Sequence, residues 1–330
     1  MSDFVTAFFN DLGDGNKPRL GCNIEAKMAD RRIASVSEFI KAAGRDYRIQ
    51  PSQAYVDILG EKRPVPGQFH LVRSSDNAVV SPHTVTGHYD PLCLTDIAED
   101  LEPFASQGWA TPDGVYSVRE GQLEVLSLRL DAGELGSPTP SDGADLLHYL
   151  VVTNPHGTAK AQGKLITFRI VCANTFAAAV SAGFDFKVSH KVRDGVQGVT
   201  ASRFEYAVKS WERLKTHVSL LAERINRFIS LAIPVDKASR LTDALLGVED
   251  GSSTRRKNMK DEILGRFNSS KAGTSGKTAW DWLNAVTSFT SNGSDDSTVD
   301  PLARLTRNIE STGSGYALEA KAVQLVEALV

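Results

Sequence analysis

From about residue 200 the apolar residues recur at intervals of three and four: Phe204, Val208, Trp211, Leu214, Val218, Leu221, Ile225, Phe228 and Ile229. That is the period of an α-helix with a single apolar stripe. The pattern runs unbroken over about 203–232 and is closed by Pro234, which lacks an amide donor and clashes with a preceding turn. At 1.5 Å per residue the helix is a rod of roughly 45 Å. A stripe that long has to be covered, by the body of the chain or by a subunit interface, so this helix constrains the rest of the fold.

The period remains helical after it. Helices are predicted over 236–247, about 254–267, 279–290, 302–310 and 316–329, with Gly/Ser/Asn-rich connectors at 268–277 and 291–299. Before it the texture is mixed. Ser35-Val36-Ser37-Glu38 has the spacing of a capping box, opening a short helix with Phe39, Ile40, Ala42 and Ala43 that Gly44 stops. Residues 47–58 read as a β pair broken at Pro51. Residues 68–73 read as a strand that turns at Asp76-Asn77 and pairs back through Ala78-Val79-Val80. Thr95 is placed to cap a helix over 96–106. Residues 115–119 and 123–130 form a hairpin across Glu120-Gly121. Its second strand points Leu123, Val125, Ser127 and Arg129 one way, and Glu124, Leu126, Leu128 and Leu130 the other. A loop is expected over 133–143, strands over 146–153 and 164–171, a turn at Asn154-Pro155-His156-Gly157, and a helix over 172–182.

The fold class expected is therefore α+β. A largely antiparallel sheet with helices fills the N-terminal part, and a mostly helical C-terminal part follows. The division is drawn at 1–195 and 196–330.

The chain is 41% hydrophobic, and no apolar run approaches the length of a membrane span. Cys22, Cys93 and Cys172 are sparse, odd in number and widely spaced. This argues for a reducing, cytoplasmic setting and against a disulfide framework or a paired-cysteine zinc site. The first residues, Met1-Ser2-Asp3-Phe4-Val5, lack the basic start and apolar core of a secretion signal.

The motifs for common chemistries are absent or fail. Gly273-Thr274-Ser275-Gly276-Lys277-Thr278 resembles a phosphate loop, but Lys271 stands where the first glycine is required and no apolar strand precedes it. It reads better as a loop leading to Thr278 near the cap of a helix that packs Trp280, Leu283, Val286 and Thr287 inward. The seven histidines have no metal-binding spacing; His83 and His88 share a loop with Asp90, where turn hydrogen bonding accounts for them. No Gly-x-Ser-x-Gly elbow exists. Cys172, at an expected strand–helix joint with Asn174 and Thr175, reads as a buried structural thiol. No catalytic residue, metal site or cofactor is expected.

Charge gives the strongest functional hint. The net charge of −3 is uneven: residues 1–150 hold 13 Lys/Arg and 22 Asp/Glu, residues 151–330 hold 24 and 18, and residues 160–280 hold 21 and 11. The second half is either an ordinary solvated surface or a surface that meets a polyanion. Candidate phosphate contacts are Lys160, Lys164 and Arg169 around one hairpin, Lys187, His190, Lys191 and Arg193 beyond the next helix, and Arg255, Arg256 and Lys257 at the start of another. Asn174 and Thr175 would cap the joint at 167–176 and add hydrogen bonds there.

Several blocks resemble one family: Val85-Thr86-Gly87-His88-Tyr89-Asp90-Pro91-Leu92, Thr153-Asn154-Pro155-His156-Gly157, Arg169-Ile170-Val171-Cys172-Ala173-Asn174-Thr175, Ser189-His190-Lys191, and Gly276-Lys277-Thr278-Ala279-Trp280 with Leu283-Asn284-Ala285-Val286. In order and content they are similar to the phage/plasmid-like family catalogued as a domain of unknown function, family 932. Pro155 departs from the family's turn, and the first 30 residues lie outside the resemblance. The resemblance implies a gene of mobile elements, with no settled activity. By analogy of architecture, such elements encode oligomeric proteins that anneal single-stranded DNA.

Three functions follow as expectations. The first is a non-enzymatic, oligomeric protein binding single-stranded DNA. The second is an interaction protein that counters a host defence nuclease or regulator, its acidic N-terminal half imitating DNA. The third is an enzyme with a site around His156, Cys172, Asn174 and His190.

Overall fold

The computed structural model describes residues 25–27, 33, 35–81, 83–118, 121–136, 146–157, 161–169, 174–175, 185–188, 199–269, 276–292 and 314–329. Strands β1 (Glu25–Lys27), β5 (Ala110–Val118), β6 (Leu123–Leu130), β7 (Leu146–Pro155), β8 (Ala161–Arg169) and β10 (Asp185–Val188) form one antiparallel sheet in that order. The two-residue β9 (Asn174–Thr175) also pairs with β8. A smaller antiparallel sheet holds β2 (Ile49–Ile58), β3 (Glu61–Arg73) and β4 (Val85–Thr86). Helices α1 (Val36–Ala42), α2 (Leu94–Ser106) and α3 (Ala132–Leu135) accompany the sheets. Helices α4 (Val199–Ser230), α5 (Val235–Leu246), α6 (Thr254–Asn268), α7 (Ala279–Asn292) and α8 (Ser314–Glu327) follow. The α+β class expected from the periodicities is the one observed. The boundary drawn at 195/196, the helix expected over 302–310 and residues 137–143 of the loop expected over 133–143 lie outside the described residues, while Gly133, Glu134 and Leu135 of that loop belong to α3 instead.

The apolar stripe of α4 is covered from within the chain. Trp211, Leu214, Val218, Leu221, Ile225 and Phe228 are buried in one cluster with Leu126, Leu128 and Leu130 of β6, Leu150 and Val152 of β7, and Leu165 of β8. Each such side chain contributes about 1.5–3 kcal/mol when fully removed from water. Trp211 also stacks on Trp109 with ring centroids 5.1 Å apart, and Phe104 of α2 meets both rings edge-on. The same cluster continues through Phe267, Trp282 and Val326 of the last helices.

Several local signals fall where expected. Ser35 caps α1, its Oγ accepting the Glu38 N–H. The strand at 68–73 turns at Asp76-Asn77, and its return pairs Val79 with Val72. The β5–β6 hairpin has Leu126 opposite Val115, as its alternation requires. Thr278 and Asp281 close a reciprocal cap on α7, Asp281 N–H donating to Thr278 Oγ1 while Asp281 Oδ2 accepts from Thr278 N–H.

Other expectations are corrected. β2 runs unbroken through Pro51, which pairs with Leu71. A proline is tolerated there because β2 is an edge strand among the described residues, and because Leu71 opposite turns its own N–H and C=O away, to Ser81 and Val80, so no ladder donor is needed from Pro51. β3 begins at Glu61, seven residues ahead of the expected Gln68, through Pro64, Pro66 and Gly67. The second helix starts at Leu94 with Cys93 as N-cap, because Asp96 reaches back to the Cys93 N–H at 2.9 Å. Thr95 does not cap it. Asn174-Thr175 is strand, not helix cap: Arg169 pairs with Asn174 and Phe168 with Thr175, so the chain doubles back on β8. Among the described residues no helix is long and apolar enough to cross a membrane.

Candidate functional site

The polar residues most deeply placed on the described surface of the large sheet come from β6 and β7. Register sets Glu124 opposite Asn154, on the face that carries Leu126, Leu128 and Leu130, and His156 continues that face beyond the end of β7. Glu124 is 1% exposed and His156 is fully buried. The His156 Nε2 lies 2.9 Å from Glu124 Oε2, and Tyr47 Oη donates to Glu124 Oε1 at 2.6 Å. Arg45 Nη1 approaches Tyr47 Oη at 3.4 Å, and the Arg73 guanidinium lies over the Tyr47 ring at 5.3 Å. Burial, and then the adjoining Glu124, push the Tyr47 phenol up to about 12, so Tyr47 holds its proton as a donor.

Beside this chain of contacts, Asn154 Nδ2 donates to Leu92 O at 2.8 Å, and Gly157 N–H donates to Tyr89 Oη at 3.1 Å. The 85–92 and 153–157 blocks, far apart in sequence, are thus bonded to one another. Together with Tyr47–Glu124 they tie the small sheet to the large one. A buried network of this kind gains strength where its members are paired, and both carboxyl oxygens of Glu124 are. Its geometry is that of a lock between two sheets, closed to solvent at Glu124 and His156.

A second polar group lies toward the other end of the strands. His148 of β7, 1% exposed, shares a hydrogen bond of 2.8 Å between its Nδ1 and Thr167 Oγ1 of β8. Burial, helped by His217 of α4, holds His148 down at about 4. Next to it, Asp113, Arg129 and Asp131 line an open pocket of about 440 Å³.

The expected phosphate contacts fare unequally. Arg255, Arg256 and Lys257 are exposed in the first turn of α6, and Arg256 Nη1 also donates to Gly247 O at 3.0 Å. Lys164 is corrected: it is 2% exposed, with its ammonium 4.4 Å from the centre of the Tyr316 ring of α8. A buried cation over an aromatic face stabilises the packing of α8 on β8 and does not face a phosphate. Arg169, Asn174, Thr175 and Lys187 take their places on β8, β9 and β10. Lys160, His190, Lys191 and Arg193 lie outside the described residues.

The grouping of His156 with Asn174 does not form. Gln162 pairs with Thr153 near the His156 end of β7, and Arg169 pairs with Asn174 at the far end of β8. Those two levels are about 23 Å apart at 3.3 Å per residue. Cys172 and His190 lie outside the described residues. Sequence reasoning missed Glu124 as the partner of His156, and Tyr47 as the second partner of Glu124. One signal was present: Glu124 is a carboxyl on the apolar face of β6.

The phosphate-loop resemblance at 273–278 has a structural explanation. Gly276 sits at φ +67°, and a Cβ there would meet Phe267 O at 2.7 Å. The Lys277 and Thr278 N–H groups, which a phosphate loop would offer to its ligand, both donate to Asp281 Oδ2. A carboxylate already occupies that nest.

No curated protein and no solved structure matches the chain. One family model does, over residues 70–321, and that span holds both bonded blocks, the α7 cap and all of α4. With most of its length matched, the chain belongs to the family described as a domain of unknown function, DUF932.

Proposed function

We propose that this protein binds single-stranded DNA through its basic second half, without catalysing a reaction. The observation that carries the reading is the start of α6. Arg255, Arg256 and Lys257 are exposed there, and the first turn holds no acidic residue. A helix N-terminus is the least favourable end for cations, because its own partial charge is positive. Three of them together repel one another and the helix end, and a phosphate backbone relieves both repulsions. The excess of 21 Lys/Arg over 11 Asp/Glu across 160–280 supports the same partner. In its finer form the proposal is a mobile-element protein, phage- or plasmid-borne, that works in the cytoplasm as an oligomer annealing single strands.

A salt series with single-stranded DNA tests it. Each phosphate contact contributes about −0.7 to the slope of log affinity against log salt. The Arg255→Ala/Lys257→Ala double variant is expected to bind more weakly and to flatten the slope by about 1.4. Absence of binding at low salt, or affinity indifferent to salt, overturns the reading and favours the protein-interaction alternative.

A further inference from the structure

We infer that the β2–β3 ribbon is a self-association arm, through which the free edge of β2 pairs antiparallel with β2 of a second copy. Past its base this hairpin leaves the body of the molecule. From Tyr55 to Pro64 every residue is exposed, including Tyr55 at 59%, Val56 at 43%, Ile58 at 45% and Leu59 at 101%. Four exposed large apolar side chains within five residues exceed the scattered apolar surface normal for a protein in water. The ribbon is held as an arm and not as a loose loop. A register shift between Gln53 and Tyr55 bends it, and the Gln53 side-chain amide reaches the carbonyls of Ala54, Val65 and Gln68 at 2.8–3.1 Å.

The tip adds a second sign. Leu59 and Gly60 turn the chain with φ of +54° and +87°, the signature of a turn that favours Asn-Gly. A leucine there is strained and wholly exposed, two costs that an asparagine would avoid.

The chemistry selects the occupant. Between Tyr55 and Pro64 the charges are Asp57 and Glu61 against Lys62 and Arg63, a net of zero. Three of them are satisfied within the arm, Arg63 and Glu61 by one another at 2.9 Å and Asp57 by the Gly60 N–H at 2.8 Å. A neutral apolar arm is not suited to a polyanion, and it does not repel its own copy. Among the described residues no strand pairs along either edge of the ribbon here, and β4 meets β3 only at Gln68 and Phe69. The β3 edge is blunted by Pro64 and Pro66, whereas β2 from Ala54 to Ile58 has no proline.

A two-fold axis at Val56 sets Val56 beside Val56 of the partner subunit, and Tyr55 beside Asp57 of the partner subunit. Ile58 falls beside Ala54 of the partner subunit. No like charges face one another, as an isologous contact requires. This surface is separate from the α6 start, so the arm and the DNA reading fail independently.

Sedimentation of the full chain over a concentration series, without DNA, tests the arm. Wild type is expected to form dimers or larger species. Val56→Arg, a substitution at an exposed position, sets like charges together on the axis and is expected to weaken association at least about tenfold, while its melting temperature and salt-dependent DNA binding stay those of wild type. Val56→Cys is expected to cross-link copies under mild oxidation far more than Lys62→Cys. A wild-type chain that stays monomeric, or a Val56→Arg variant that associates like wild type, overturns the proposal.

Discussion

Tyr47 illustrates how a single residue gains its role from what lies across the fold. Alone it is a tyrosine after a short helix. In the structure it supplies the donor for Glu124 Oε1, while His156 takes Oε2. Tyr47→Phe leaves one buried carboxyl oxygen without its donor and is expected to cost about 1.5–3 kcal/mol in urea unfolding. His156→Ala removes the other partner and leaves a void, with an expected cost of about 3–5 kcal/mol. If both variants unfold at the wild-type midpoint, the cluster is not the lock described.

His148 makes the stability depend on acid. The unfolded chain protonates this imidazole near 6.5, and the folded chain only near 4. Between those values the unfolded state binds more protons, so stability falls as pH falls. The loss is absent above about 6.5 and reaches about 3 kcal/mol by pH 4, at 1.36 kcal/mol per pH unit. Replacing His148 with Asn should shrink the difference between unfolding midpoints measured at pH 7 and pH 4.5. An unchanged difference would assign the acid sensitivity to other groups.

At the scale of elements, helices were the most legible part. The α4 stripe, the Pro234 stop and the Thr278/Asp281 cap are local patterns, and local patterns survive folding. The ribbon was not legible, because Pro51, Pro64, Pro66 and Gly67 are residues that normally interrupt a strand. They are accommodated because, among the described residues, both strands are edges over most of their length. The start of α2 was misplaced by two residues because Asp96, not Thr95, completes the cap. Gly276 allows a test at this scale. Alanine there must hold a left-handed φ and displace Phe267 O, so Gly276→Ala is expected to cost about 2 kcal/mol or more. A thermal midpoint equal to wild type would show that the α6–α7 turn can relax around a side chain.

For the whole molecule, charge and connectivity separate. The basic balance of 160–280 belongs to the composition, but which cations reach solvent does not. Arg255, Arg256 and Lys257 face solvent at a helix start. Lys164, equally basic in sequence, lies beneath Tyr316. By itself the sequence determined the kind and order of most elements, since a period of two or of 3.6 is written in neighbours a few residues apart. It also carried the blocks that mark the family. Only the tertiary structure decided that Glu102 of α2 accepts from Ser35 and Ser37 at the start of α1, that Tyr47 meets Glu124, that the chain at Asn174 turns back as a strand, and that no described strand pairs with the outer edge of β2. Each of these depends on which elements the fold brings side by side, and that is not encoded in local spacing.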